Sequence, residues 1–454
     1  MNQDELTRQL EDGLAEVPMY DVHTHLTSGS LAARGLHDVL LYHMVISDLY
    51  AAGAPDGARL TPYPDAPDDA EAESRIERAL PYLHRARNTS NAWGLRMILR
   101  DLYDWTEPIE PGNWRRLDAI IRERSASADW AYSILDRLRI ARTNAEYTRR
   151  GEGADDSRLL YSLEWGMVTR AQWGEFDTPL YELERCWAMD AAGGPMEIGG
   201  GVRPDLPKRI RSAADADEAT AHFVRLIPGY LIAMATHLST DIDYTAPTAA
   251  EFEAALARRD TAGPAERGIY ASYLNELLLT RLEAERPDVA FQFSFGAEPL
   301  PFETGARLRQ DTLGQLALMI DRHPGLRFQV NNATRHANHG LASLARELPN
   351  LSIAGYWWHN FYPDSIRQLM SERLDMLPTT SQCAFFSDAY CIDWVYGKAM
   401  IVRKQLARVL AERVWTGQYD IDDALSIARS ILFESAEHLL GMKPYEGWND
   451  PSEI

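Results

Sequence analysis

The chain has 454 residues, more than one ordinary domain needs but within the reach of a single large barrel with insertions. Its 46 Lys and Arg against 67 Asp and Glu leave a formal net charge of -21, which argues against nucleic acid or an anionic membrane as partner. Hydrophobic residues at 45% and charged residues at 25% are the balance of a globular enzyme, so an anionic substrate has to be drawn in locally by Arg, His and metal. Cys186, Cys383 and Cys391 show no C-x-x-C spacing and are too few for a disulfide framework, as expected of a reducing cytoplasm. The acidic, amphipathic N-terminus does not read as a signal peptide. No stretch approaches the roughly 18 apolar residues that span a bilayer.

Leu6, Leu10 and Leu14 recur every fourth residue and predict a helix over 4–15. Glu16 to Tyr20 then reads as a short strand ending in Asp21-Val22-His23-Thr24-His25-Leu26. Side chains two apart on a strand share a face, so His23 and His25 project together while Thr24 turns away. Two converging imidazoles can hold a divalent ion; two hydrogen-bonded core histidines are the alternative. Gly35 to Gly53 predicts a helix with His43 on or near it, and Gly53 to Glu71 a solvated loop. Residues 72–135 are rich in helix formers, so 54–135 reads as a helical insertion after the first strand.

Strands are expected at 138–143, 160–168, 196–202, 289–295, 326–330, 351–356 and 384–387. Helices are expected at 214–236, 247–284, 312–321, 341–347, 365–373, 394–414 and 421–440. Strands alternating with helices are the pattern of parallel βα units. The predicted fold is one (β/α)8 TIM barrel over residues 1–454.

Functional residues of such a barrel stand at the C-terminal ends of its strands. The first strand offers His23 and His25, and the last offers Asp388. A carboxylate can close a site built from two imidazoles, although Asp388 also reads as an N-cap for the next helix. Arg203 is either a bidentate clamp for a substrate carboxylate or the salt-bridge partner of Asp205. His43 is either an acid/base or substrate donor, or a satisfied helix histidine. Of Trp357 and Trp358 only one can face inward, as a sugar platform, and both also suit a core. Arg335, His336 and His339 read mainly as loop surface, and Gly199-Gly200-Gly201 as a turn. No lysine ends a recognisable middle strand to bridge two ions, so one metal is expected rather than two.

These landmarks together resemble the uronate isomerase (glucuronate isomerase) family of the amidohydrolase superfamily. The residues that carry the resemblance are His23-Thr24-His25-Leu26, Leu41-Tyr42-His43-Met44, Arg203-Pro204-Asp205, Gly296-Ala297, Gly355-Tyr356-Trp357-Trp358 and Ser387-Asp388. The resemblance runs from residue 17 to about 440. It implies a (β/α)8 barrel with one divalent metal, zinc with manganese or iron as alternatives, held at His23, His25 and Asp388. It also implies conversion of an aldose uronate such as glucuronate into its ketose. Asp388 or a metal-bound water would be the base, and His43 a donor to substrate oxygen. Arg203 would hold the substrate carboxylate, with Asp205 and Trp358 also at the substrate.

The chain departs from the family at several of these points. Asp388-Ala389-Tyr390 lacks the arginine of the family's Asp-Ser-Arg run, Met44 replaces a tyrosine, and Ser294 replaces a histidine. Such changes at groups that pair with substrate imply a different substrate or lost activity. A hydrolase or decarboxylase on the same barrel, or a catalytically silent barrel, are the alternative readings. The expected partner is a small-molecule sugar acid, with a homo-oligomer also compatible.

Overall fold

The computed structural model describes residues 2–27, 30–55, 68–146, 157–164, 177–189, 208–237, 244–296 and 312–441. Arg203 and Asp205, the expected strand 196–202, its glycine run and most of the loop 53–71 lie outside them. Among the described residues there are eight strands, most of them separated by helices: β1 (Met19–Asp21), β2 (Ile140–Glu146), β3 (Leu159–Glu164), β4 (Leu231–His237), β5 (Ala290–Phe295), β6 (Phe328–Asn332), β7 (Leu351–Ala354) and β8 (Gln382–Cys383). Their order follows the chain, and every described pairing is parallel, as in an α/β barrel. No described helix is long and apolar enough to cross a membrane.

The chain divides into two compact units. The first comprises 1–159, 355–371 and 384–434. Asn2 and Glu5 form a capping box that starts the helix Gln3–Glu16, whose buried Leu6, Leu10 and Leu14 pack on the helix Ile392–Trp415. Between β1 and β2 stand the helices Leu36–Leu40, His43–Ala51, Asp69–Leu83, Ser90–Tyr103, Trp114–Ser125 and Ala128–Arg137. The single helix expected over 35–53 is therefore two. Tyr42 takes extended backbone between them and makes His43 the first helical residue.

The second unit comprises 160–354, 372–383 and 435–454. β4 corrects the expectation of one helix over 214–236. The helix ends at Leu226, Pro228-Gly229 breaks the chain, and Leu231–His237 pairs with β3 and β5. A short apolar run carries no periodicity that tells a buried strand from a helix. The expected helix 247–284 is likewise interrupted, giving Ala249–Leu256 and Pro264–Glu285, with Pro264 in the first turn of the second. The final strand is Gln382–Cys383 rather than 384–387.

Inside the second unit the strands carry a polar layer. Gln292 donates to Gln329 at 2.7 Å, and Asn331 donates to the Ser294 hydroxyl at 3.2 Å. Ser294, which stands where the resemblance expects histidine, is thus a hydroxyl held by a neighbouring strand.

Candidate metal centre

All the candidate site residues among the described positions belong to the first unit. Beyond β1, Thr24 turns to β2, where its hydroxyl donates to the Asn144 carbonyl at 2.7 Å. His23 and His25 converge instead on one carboxylate oxygen. His25 Nε2 lies 3.0 Å from Asp388 Oδ1, and His23 Nε2 lies 3.8 Å from the same atom. The other oxygen, Oδ2, lies 3.4 Å from His43 Nε2.

The three donor atoms offered by His23, His25 and Asp388 fall within 4.8 Å of one another. A tetrahedral ion with bonds of about 2.0–2.1 Å sets its ligand atoms about 3.3 Å apart. The distances of 3.0 and 3.8 Å bracket that spacing. Two imidazole nitrogens and a carboxylate are also a donor set suited to zinc, manganese or iron. The residues fit a divalent metal.

Aromatic rings fix the imidazoles. Phe386 meets His23 edge-on at 5.3 Å, and Tyr390 stacks on His25 at 4.6 Å with its edge toward His43. Tyr390 therefore replaces the expected arginine with a ring packed against two of the histidines. Trp358 lies 5.1 Å from His43 between ring centroids, whereas Trp357 is buried against Phe386. Of that pair, Trp358 is the one beside the site. Two of the four described non-glycine residues with positive φ are here, Trp358 at 46° and Asp388 at 54°. Backbone in that region is held by surrounding structure and clusters at functional sites. Gly355, at φ 45°, lets the chain turn where a Cβ would stand 2.6 Å from Phe386.

The electrostatics favour an ionised Asp388. Burial opposes its charge, but the hydrogen bond with His25 and the nearby imidazole of His43 together hold its carboxyl well below the usual range. Burial outweighs Asp388 at His43 and lowers its imidazole, keeping it neutral near pH 7. The Tyr42 hydroxyl is pushed well up, by burial first and then by the Asp388 charge. It stays protonated and donates a hydrogen bond to the Asp388 carbonyl at 3.0 Å. Burial also pushes Asp21 up to about 7 and Lys398 down to about 8.

His23, His25, His43, Asp388 and Trp358 are thus brought together. His339 is exposed and pairs with Glu372 at 2.8 Å, and Arg335 and His336 are exposed, which favours the surface reading of that cluster. The sequence marks Tyr390 as a missing arginine and Tyr42 as part of a motif, and it assigns no role to either, nor to Asp21 or Lys398. Asp21 had a signal, since it shares strand periodicity with His23 and His25. Lys398 had a weaker one: a lone lysine in an otherwise apolar stretch of the helix Ile392–Trp415.

Comparison with solved structures bears on the fold. A uronate isomerase from Bacillus halodurans C-125 is 16% identical, with 98% of each chain covered and a TM-score of 0.67. A glucuronate isomerase from Caulobacter crescentus is 13% identical, covers 99% of this chain and 96% of its own, and has a TM-score of 0.77. The chain has the fold of the uronate isomerases. A candidate metal-dependent hydrolase from Lactobacillus casei ATCC 334 is 14% identical over 95% of this chain and 97% of its own, with a TM-score of 0.55. No protein-family model and no curated protein sequence matches the chain.

Proposed function

We propose that this protein is a metal-dependent aldose–ketose isomerase acting on a uronic acid such as glucuronate, or on a related sugar acid. The observation that carries the reading is one carboxylate shared between two imidazoles that complete a metal donor set and a third that does not. Its occurrence in a fold shared with uronate isomerases supports the substrate class. His23, His25 and Asp388 would hold the ion, which when bound supplies polarisation of the substrate carbonyl and its neighbouring hydroxyl.

The chain's own residues account for the proton traffic. Isomerisation removes the proton from C2 and returns it to C1 through an enediol. Asp388, kept ionised by its histidine neighbours, can accept that proton and give it back. His43, neutral and lodged at the first residue of its helix, donates from its protonated nitrogen to O1 as that oxygen gains negative character and takes up the O2 hydroxyl proton as the ketose carbonyl forms. Trp358 offers an aromatic face beside His43 for the sugar. Arg203 is the proposed clamp for the terminal carboxylate, with Asp205 a second proposed substrate residue. The rings of Tyr390 and Tyr42 shield the histidines from water.

The test incubates the metal-loaded protein in heavy water with glucuronate, galacturonate and related uronic and aldonic acids, followed by proton NMR. A ketose product with loss or transfer of the C2 proton is expected from at least one aldose uronate. Consumption without a ketose would replace this reading with a hydrolase or decarboxylase. No change in any compound by the metal-loaded protein would remove the uronates as substrates.

A further inference from the structure

The segment that carries Asp388 is held by every backbone group it has. The Ser387 N–H donates to Asp21 Oδ1 at 2.8 Å, and the Ser387 carbonyl accepts from Lys398 Nζ. The Asp388 N–H donates to the His23 carbonyl at 3.0 Å, and the Asp388 carbonyl accepts from the Tyr42 hydroxyl at 3.0 Å. The Ala389 N–H donates to the Ser387 hydroxyl at 3.2 Å, and the Ala389 carbonyl accepts from the His25 N–H at 2.9 Å. Six successive backbone groups outside any helix or strand are therefore satisfied by chosen partners. Asp388 sits among them at φ 54°, a region uncommon for non-glycine residues but one that aspartate enters more readily than most.

Lys398 differs in kind from the backbone and hydroxyl partners. It is a charged side chain, 2% exposed, delivered from the helix Ile392–Trp415. Its ammonium also lies over the rings of Tyr42 at 5.1 Å and Phe361 at 4.8 Å. Burying an ammonium is costly, so a buried lysine aimed at a single carbonyl calls for a reason. An apolar residue of similar length would fill the volume without that cost. What it could not do is grip the peptide linking Ser387 to Asp388. Asp21, fully buried, grips Ser387 from its amide side.

We propose that Lys398, together with Asp21, is a positioning residue for the metal centre. The two hold Ser387 so that the Asp388 carboxylate is presented to the imidazoles of His23, His25 and His43. The proposal rests on the metal reading above and adds that ligand geometry is set through the backbone of Ser387.

The test compares unsubstituted protein with Lys398→Met, Lys398→Arg and Asp21→Ala, reading zinc affinity by competition titration and the visible spectrum of the cobalt(II)-loaded protein. Loss of a group that orients a metal ligand typically weakens metal binding by about 10–100-fold, and that loss is expected for Lys398→Met and Asp21→Ala. Both should change the cobalt spectrum, and Lys398→Arg, which keeps a cationic donor, should recover part of the affinity. Val402→Ala, a core truncation on the same helix, should lower the melting temperature and leave the spectrum unchanged. Wild-type affinity and an unaltered spectrum, in whichever of Lys398→Met and Asp21→Ala folds, would overturn the proposal. If unsubstituted protein binds neither ion, the metal reading itself fails, and this proposal with it.

Discussion

At the scale of single residues, the Asp388 carboxylate is divided between two neighbourhoods. Oδ1 faces His23 and His25, and Oδ2 faces His43. If His43 serves the substrate and not the ion, its removal separates chemistry from metal binding. His43→Asn is expected to keep the metal content and to lower kcat by about 10²–10⁴-fold, the usual worth of a general acid or base. Elemental analysis and steady-state kinetics on one preparation check this; parallel loss of metal would make His43 a ligand. His23, His25 and Asp388 were visible in the sequence because strand periodicity and the strand-end rule need only local information. Tyr390 is visible there only as a missing arginine and Lys398 not at all, because their roles come from tertiary partners: Tyr390 matters for the imidazole it stacks on, and Lys398 for the peptide it grips.

At the scale of elements, the errors have a common cause. Pro228-Gly229 and Gly263-Pro264 each break what periodicity alone reads as one long helix. The run Leu231–His237 is apolar because parallel strands are buried on both faces. The last strand moved toward the N-terminus because Ala384 leaves the ladder and donates to the Ile431 carbonyl at 2.7 Å. The expected helix 312–321 is present, its described residues beginning at Thr312.

The same elements carry a pH dependence. Glu276, on the helix Pro264–Glu285, accepts from Arg322 at 2.9 and 2.8 Å and lies 3.1 Å from His323, just past the helix Thr312–Asp321. Burial opposes its charge, but these partners prevail and lower its pKa below the ordinary 4.5. A depressed carboxyl binds fewer protons folded than unfolded, so its stabilisation is present above the unfolded value and lost as pH falls through the folded one. Urea midpoints measured from neutral to acid pH should therefore fall less steeply below about pH 4.5 in Glu276→Gln than in the unsubstituted protein. Parallel acid limbs would show that the cluster adds nothing.

At the scale of the whole molecule, a fold shared at 13–16% identity shows how little of a sequence the architecture constrains. The alternation of βα units was readable because parallel strands and crossover helices differ in length and pattern. Substrate choice was not, because one barrel hosts many chemistries and the groups that select among them are few. With a net charge of -21, the protein repels anionic substrates at a distance, so capture depends on local cationic groups, with the proposed ion among them. The account therefore turns on the metal centre.

The most direct measurement is the metal content of protein loaded with zinc and freed of excess, for the unsubstituted chain and for Asp388→Ala. About one ion per chain in the first and loss of that ion in the second is the predicted result. An unsubstituted protein that remains folded and retains no divalent ion would contradict it.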